Sequence, residues 1–287
     1  MRKTELVQVL DTLAAKFPIS KMLDFLEIPK STYYRWKRQG STFKDAELLE
    51  RISMLCTKHK RRYGYRRITS GLATEYGMIV NHKRVRRIMR ENGLLAKIRR
   101  KKYRHYKPDA AIKKPDLIKR KFKADKPNQK WYTDVSELPF GPSKLYLSAI
   151  IDGFNNEVVS YAVSASPDLE LAYETVRRAM RGKSIKDLIL HSDQGGLYTS
   201  PNFQSFTQKE NIVQSMGHKG VCFDNVLIES FFSHLKTEAF YSQDFTATNE
   251  QIIEIVEEYI HYYNNERIQL KLNSLPPVKY REQAHTA

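Results

Sequence analysis

Residues 131–163 read WYTDVSELPFGPSKLYLSAIIDGFNNEVVSYAV, and this stretch decides the fold class. It contains three runs rich in β-branched and aromatic residues, at 131–138, 145–151 and 158–163. Pro139 and Gly141 punctuate the first gap, and Gly153–Asn156 supplies a tight turn in the second. Such runs, bounded by turn formers, read as three consecutive strands. The strands are followed by Ser166 and Pro167, an N-cap with proline at the first helical position. They open a helix whose apolar stripe is Leu169, Ala172, Tyr173, Val176 and Met180. A fourth short strand at 188–190 ends at His191-Ser192-Asp193. Ser200-Pro201 opens a helix through Phe206, and Ile212-Val213 is a fifth strand. Two helices follow, near 225–241 and 249–264, the latter with a capping box of Thr248 and Gln251. The order β-β-β-α-β-α-β-α-α is that of an α/β domain.

Upstream, the pattern is all helical. In residues 1–40, Leu6, Val9, Leu10 and Leu13 recur at helical spacing, a short helix covers 20–26, and Ser31 caps another over 32–38. The cluster Tyr33, Tyr34, Arg35 and Trp36 fits either a helix-turn-helix or a helical hairpin with aromatics in its core. Residues 45–98 form a second unit. Leu48, Leu49, Ile52 and Leu55 mark one helix; Ile68, Leu72 and Tyr76 mark the next, which Gly77 stops; Asn81 caps a third. In that third helix Val85, Ile88 and Met89 form the inner stripe, and Lys83, Arg84, Arg86, Arg87 and Arg90 cover the rest, as expected of a groove-reading helix. Arg61, Arg62, Arg66 and Arg67 precede it. Residues 99–128, with Arg99 and Arg100 and three prolines, read as a basic extended linker.

The 287 residues suffice for about two domains. The net charge of +17 is unevenly spread. Residues 1–130 hold 36 Lys+Arg against 12 Asp+Glu; residues 131–287 hold 13 against 20. A basic block of that size fits a polyanionic partner, most simply nucleic acid, and the plainer reading is a solubilising charge excess. Two cysteines exclude a disulfide scaffold or an all-cysteine zinc site and fit a reducing cytosol. No apolar run approaches the roughly 20 residues of a membrane span, and Met-Arg-Lys-Thr-Glu carries no signal-peptide core.

The candidate chemistry lies in Asp134, Asp193 and Glu229. Asp134 stands inside a strand, where a carboxylate among apolar neighbours is costly unless paired or metal-bound. Asp193 ends a strand before Gly195-Gly196, and open α/β sheets gather their sites at such ends. The helical stripe Ile228, Phe231, Phe232 and Leu235 leaves Glu229, Ser233 and Lys236 together on its flank. Three carboxylates brought together stay ionised only if cations neutralise them, and all-oxygen ligands favour Mg²⁺ or Mn²⁺ over Zn²⁺. Two ions about 3.5–4 Å apart would serve phosphoryl transfer, with Lys236 near the phosphate.

Several segments together resemble the OrfB-type DDE transposases of bacterial insertion sequences, which carry a retroviral-integrase-like core. They are Trp131-Tyr132-Thr133-Asp134, His191-Ser192-Asp193-Gln194-Gly195-Gly196, and Asp224-Asn225-x-x-x-Glu229-Ser230-Phe231-Phe232-x-x-Leu235-Lys236-x-Glu238. The 35 residues between Asp193 and Glu229 match that family's spacing. Tyr263-Asn264-Asn265-x-Arg267, Pro276-Pro277 and the 62–68 segment resemble it too. The resemblance implies an α+β multidomain chain: helix-turn-helix units, then an RNase H-like core (129–245, completed by 246–287) with strand order 3-2-1-4-5. It also implies binding of terminal inverted repeats and target DNA, strand cleavage and transfer, and Asp134, Asp193 and Glu229 as ligands of Mg²⁺ or Mn²⁺. His191, Asn225 and Arg267 would support the site. His191 would do so by hydrogen bonding, and Arg267 by contacting DNA or capping the last helix. Partners would be a second copy and an OrfA-type upstream product, in a cytoplasmic, nucleoid-associated setting. Gly217-His218 departs from the family's usual Ser-Arg, which would weaken a phosphate contact. The rival readings are a helix-turn-helix regulator with a catalytically inert integrase-like domain, an RNase H-type nuclease, and a decayed copy.

Overall fold

The computed structural model describes residues 3–40, 43–96, 114–138, 140–183, 185–218, 222–241 and 247–286. Arg99 and Arg100 lie outside the described residues, as does the linker up to residue 113. The chain divides into two compact units, residues 1–96 and 97–287.

The first unit is helical throughout its described residues. Helices α1 (Lys3–Leu13), α2 (Ile19–Phe25) and α3 (Lys30–Gly40) enclose Val7, Leu10, Leu23 and Tyr33, with Leu6 and Trp36 packed against them. Val9 and Leu13, expected inside, face out instead. Val9 is about a quarter-turn off the Leu6–Leu10 seam, and Leu13 is the helix's last residue. The aromatic cluster divides, with Tyr33 in the core and Tyr34 exposed. Helix α3 starts at Lys30 without a Ser31 cap, because the Pro29 carbonyl accepts from Thr32 and Tyr33 N–H at 2.9 and 3.1 Å. Helices α4 (Phe43–Lys58), α5 (Tyr65–Tyr76) and α6 (His82–Glu91) bury Leu48, Ile52, Leu55, Ile68, Leu72, Val85, Ile88 and Met89. Gly77 ends α5 at φ +64, where any Cβ is strained, and Asn81 Oδ1 caps α6 by accepting from Lys83 N–H at 2.8 Å.

The second unit is a five-stranded sheet of order β3-β2-β1-β4-β5, the RNase H-like order. Strands β1 (Lys130–Leu138), β2 (Leu145–Asp152) and β3 (Val158–Ser164) are antiparallel; β4 (Ile189–Ser192) and β5 (Val213–Met216) run parallel to β1 and to each other. One face carries α7 (Leu169–Met180) and α9 (Pro201–Lys209), closing over Trp131, Ile150, Val176, Leu190, Phe203 and Met216. Helices α10 (Val226–Leu235) and α11 (Asn249–Asn265) pack on the sheet with Ile228, Phe231, Leu235, Ile252 and Val256 buried.

Three local expectations change. Helix α7 is capped by Asp168, which accepts from Leu171 N–H at 3.0 Å, not by Ser166, so Pro167 precedes the cap. Residues 114–128 were expected as linker. They instead pack on the sheet: Ile118 and Ala124 are buried, Ala124 N–H donates to the Gly153 carbonyl at 3.0 Å, and Tyr132 Oη donates to the Phe122 carbonyl at 2.8 Å. The turn glycine permits this approach, since a Cβ on Gly153 would lie 2.7 Å from the Phe122 carbonyl oxygen. Helix α12 (Pro277–Thr286) was not expected after Asn265. It opens on a proline and has no sharp apolar stripe to betray it.

Candidate active site

Strand pairing sets the first two carboxylates side by side. Tyr132 of β1 pairs in parallel with His191 of β4, so Asp134 lies two residues further along β1 and Asp193 lies just past the end of β4. Helix α10 packs against β1 and brings Glu229 close enough for its charge to act on Asp134 and for that of Asp193 to act on it. Its start is tied down by Asn225, whose Nδ2 donates to the Thr133 carbonyl at 3.2 Å. Helix α8 (Gly196–Thr199) follows the Gly195 turn, and its Tyr198 is buried beneath the site with Oη 3.4 Å from Thr133 Oγ1.

The three carboxyls sense one another. Burial first, then the charge of Asp193 and that of Glu229, push the Asp134 carboxyl up to about 7, against the pull of the Val135 N–H and the Lys236 ammonium. Burial and Asp193 likewise raise Glu229. Asp193 itself is exposed, and its Oδ1 accepts from Gly195 N–H at 2.9 Å. Hard oxygen donors that repel one another are a donor set that fits divalent hard cations, which would offset that repulsion.

The supporting candidates are placed around this cluster. His191 is wholly buried, with Nδ1 2.9 Å from Ser215 Oγ and Nε2 2.9 Å from the Asp224 carbonyl oxygen. Both ring nitrogens are occupied, so it braces the sheet to the loop before α10 and does not face a ligand. Arg267 is 1% exposed, which removes it from any DNA surface. Its guanidinium binds Glu238 in a two-pronged pair at 2.9 and 2.7 Å, and Tyr259 Oη donates to the same carboxylate at 3.0 Å. Glu238 lies in a π-helical turn, Lys236–Phe240, that continues α10. Sequence reasoning gave Glu238 no role, because nothing local reveals a partner 29 residues away.

Asp116, His218 and Asp224 also present ligand atoms within 4.8 Å of one another. Both oxygens of Asp224 are already hydrogen-bonded. Asp224 accepts from Arg120 Nε at 3.1 Å and from His218 N–H at 3.0 Å, with His218 Nδ1 2.8 Å away; Asp116 accepts from Ile118 and Lys119 N–H. The cluster is a brace. His218, expected to cost a phosphate contact, is tied to Asp224.

Comparison with known proteins agrees with this architecture. The family described as "HTH-like domain" matches residues 43–102, and two described as "Integrase core domain" match residues 124–222 and 229–284. The chain is 41% identical over 281 residues to "Putative transposase InsK for insertion sequence element IS150" of Escherichia coli (strain K12), covering 97% of this chain and 99% of that one. The chain belongs to the insertion-sequence transposases. It is also 31% identical over 238 residues to "Transposase InsF for insertion sequence IS3A" of Escherichia coli (strain K12), covering 80% and 82%. Among solved structures it resembles the HTLV-2 integrase catalytic core domain in complex with magnesium (TM-score 0.40, 18% identity, 56% of this chain and 98% of that one). The transposase is therefore an enzyme of the DDE polynucleotidyl-transferase type, with helix-turn-helix-like and integrase-core parts. Among its described residues no helix is long and apolar enough to cross a membrane.

In the helical part of the transposase the expected DNA contacts separate. Lys83, Arg86 and Arg90 are exposed on α6, and Arg61 and Arg66 are exposed before and within α5. Arg67 lies 5.6 Å over the buried Tyr63 ring, and Arg62 is half-buried beside it. Arg84 and Arg87 are both engaged by Asp45.

Proposed function

We propose that this transposase binds the terminal inverted repeats of its element and hydrolyses a strand there, and that the freed 3′-hydroxyl then attacks a target phosphodiester, joining to its phosphorus as the target strand's 3′-oxygen leaves, with Asp134, Asp193 and Glu229 as the reactive cluster. The observation that carries the reading is the electrostatic coupling of three carboxyls from β1, the end of β4 and α10, with Asp134 raised to about 7. Such a cluster is unfavourable by itself and becomes favourable on binding cations, which is the expected signature of ligands awaiting Mg²⁺ or Mn²⁺. Asp134, Asp193 and Glu229 would hold the ions. When bound, such ions supply Lewis-acid polarisation of the phosphodiester and of the attacking oxygen.

The chain's own residues do the rest. The β1–β4 register orients Asp134 and Asp193, Asn225 fixes the pitch of α10 and hence Glu229, and Lys236 offsets negative charge at the site. The basic first half holds DNA, as its 36 Lys+Arg against 12 Asp+Glu suit. Joining two element ends calls for two copies of the chain, and an OrfA-type upstream product is the further partner. The working place is the cytoplasm, at the nucleoid.

The test uses labelled duplexes carrying the element's ends, incubated with Mg²⁺ or Mn²⁺ beside Glu229→Gln and Asp193→Asn. A nicked end and a joined product are expected from the wild type alone, with DNA binding retained in both variants. Equal activity in the variants would overturn the assignment. Binding without cleavage by the wild type would favour a DNA-binding regulator.

A further inference from the structure

The cations of α6 are not equivalent. With Val85, Ile88 and Met89 facing the core, the remaining positions form two flanks. One carries Arg84 and Arg87. Asp45 of α4 holds both: Arg84 Nε donates to Oδ1 at 2.9 Å, Arg87 Nη2 to Oδ2 at 2.6 Å, and Arg87 Nη1 also reaches Glu91 at 2.9 Å. The Arg84 hydrogen bond foremost holds the Asp45 carboxyl below its ordinary range, so it stays charged. Two arginines against two carboxylates leave this flank close to neutral.

The other flank carries Lys83, Arg86 and Arg90, all exposed, and no described carboxylate pairs with them. It is organised around one ring. The Arg86 guanidinium lies 5.6 Å from the Tyr65 ring centre, and that of Arg66 lies 5.8 Å from the same ring. Arg66 Nε also donates to Tyr65 Oη at 3.2 Å, and the His82 ring stacks at 6.0 Å. A tyrosine at the start of α5 thus gathers arginines from two helices. Stacking leaves a guanidinium's donors open while restricting its rotamers, so less freedom is lost when it meets a phosphate or a base edge.

We propose that this flank, Arg66, Lys83, Arg86 and Arg90, is the surface the transposase lays on duplex DNA, with Tyr65 as the positioning residue for its guanidiniums. Arg84 and Arg87 brace α6 against α4 and stay off the duplex, because phosphates approaching them meet Asp45 and Glu91. The assignment rests on the reading that the first unit holds the element's ends.

The test is a salt series of anisotropy titrations. The full chain, silenced by Glu229→Gln, is titrated against a labelled duplex carrying the element's terminal repeat. Arg86→Ala, Arg66→Ala and Lys83→Ala should each lower the slope of log K on log salt by about 0.9. Arg84→Ala and Arg87→Ala should leave the slope unchanged. Tyr65→Phe should bind as the wild type does; Tyr65→Leu should bind more weakly while keeping most of the slope. Equal slope losses on both flanks, with wild-type binding intact, would overturn the flank assignment alone. Undiminished binding by Tyr65→Leu would overturn the positioning role. A wild-type chain that does not bind the duplex would take the underlying reading down as well.

Discussion

Asn225 Nδ2 donates to the main-chain carbonyl of Thr133 at 3.2 Å, so the residue before Asp134 and the residue one helical turn before Glu229 are tied by a single bond. The buried face of α10, Ile228, Phe231, Phe232 and Leu235, is apolar, and apolar contacts slide more easily than a hydrogen bond does. Asn225→Ala should therefore loosen Glu229 relative to Asp134 while leaving DNA binding intact. Misplacement by about 1 Å costs on the order of 10²-fold in rate. Single-turnover end cleavage at saturating protein measures the loss, and an unchanged rate would show that packing alone sets the pitch of α10.

Arg267 and Glu238 form a buried pair whose removal should be felt as stability. Arg267→Ala strips the Glu238 carboxylate, 9% exposed, of both guanidinium donors. Breaking one side of such a pair costs about 3–5 kcal/mol. The double variant Glu238→Gln with Arg267→Met removes both charges and should recover much of that. Urea denaturation of the three chains checks the order. A single variant as stable as the wild type would show that the pair contributes nothing.

The fold was legible where local pattern and tertiary role coincide. Trp131, Ile150 and Val158 sit in β-branched and aromatic runs that the sheet buries, and Thr248 with Gln251 caps α11 as their spacing says. Asp134 stood out for the opposite reason, a charge where a strand wants an apolar residue, while Asp193 stood out at a strand end and Glu229 on a helix flank. What stayed hidden depends on partners far along the chain. Arg84 and Arg87 read as groove-facing cations because Asp45 lies about 40 residues away, and Arg267 read as a DNA contact or a helix cap because Glu238 lies 29 residues back. Residues 114–128 read as linker because their hydrogen bonds go to Gly153, Ser215 and the Tyr132 hydroxyl, none of which leaves a local signature.

The raised carboxyl of Asp134 makes the metal-free protein sensitive to pH in a definite direction. A carboxyl that holds its proton more tightly when folded stabilises the fold at low pH. That contribution is lost as pH rises from about 4 toward about 7. Each pH unit crossed removes at most about 1.4 kcal/mol. Asp134→Asn should therefore melt higher than the wild type at pH 8 without metal, and no higher at pH 4. Added Mg²⁺ or Mn²⁺ should raise the wild-type melting temperature more at pH 8 than at pH 5.5, and raise that of Asp134→Asn little. A wild type whose melting is indifferent to the ions at both pH values would speak against the three carboxyls as ligands.

Gly195 offers the sharpest separation of rate from stability. A Cβ at this position would lie 2.9 Å from Asp193 Oδ1, the oxygen that accepts from the Gly195 N–H. The backbone there has φ −61, which alanine adopts readily, so the fold itself does not require glycine. What must give is the Asp193 carboxylate, and moving it breaks its hydrogen bond from the Gly195 N–H. Gly195→Ala should keep the wild-type melting temperature within a few degrees and bind the element's ends normally. Cleavage should fall by roughly 10- to 100-fold, the scale of a displaced reactive group. If instead the variant cleaves at the wild-type rate, Asp193 tolerates the push, and its present orientation is not the one that the reaction uses.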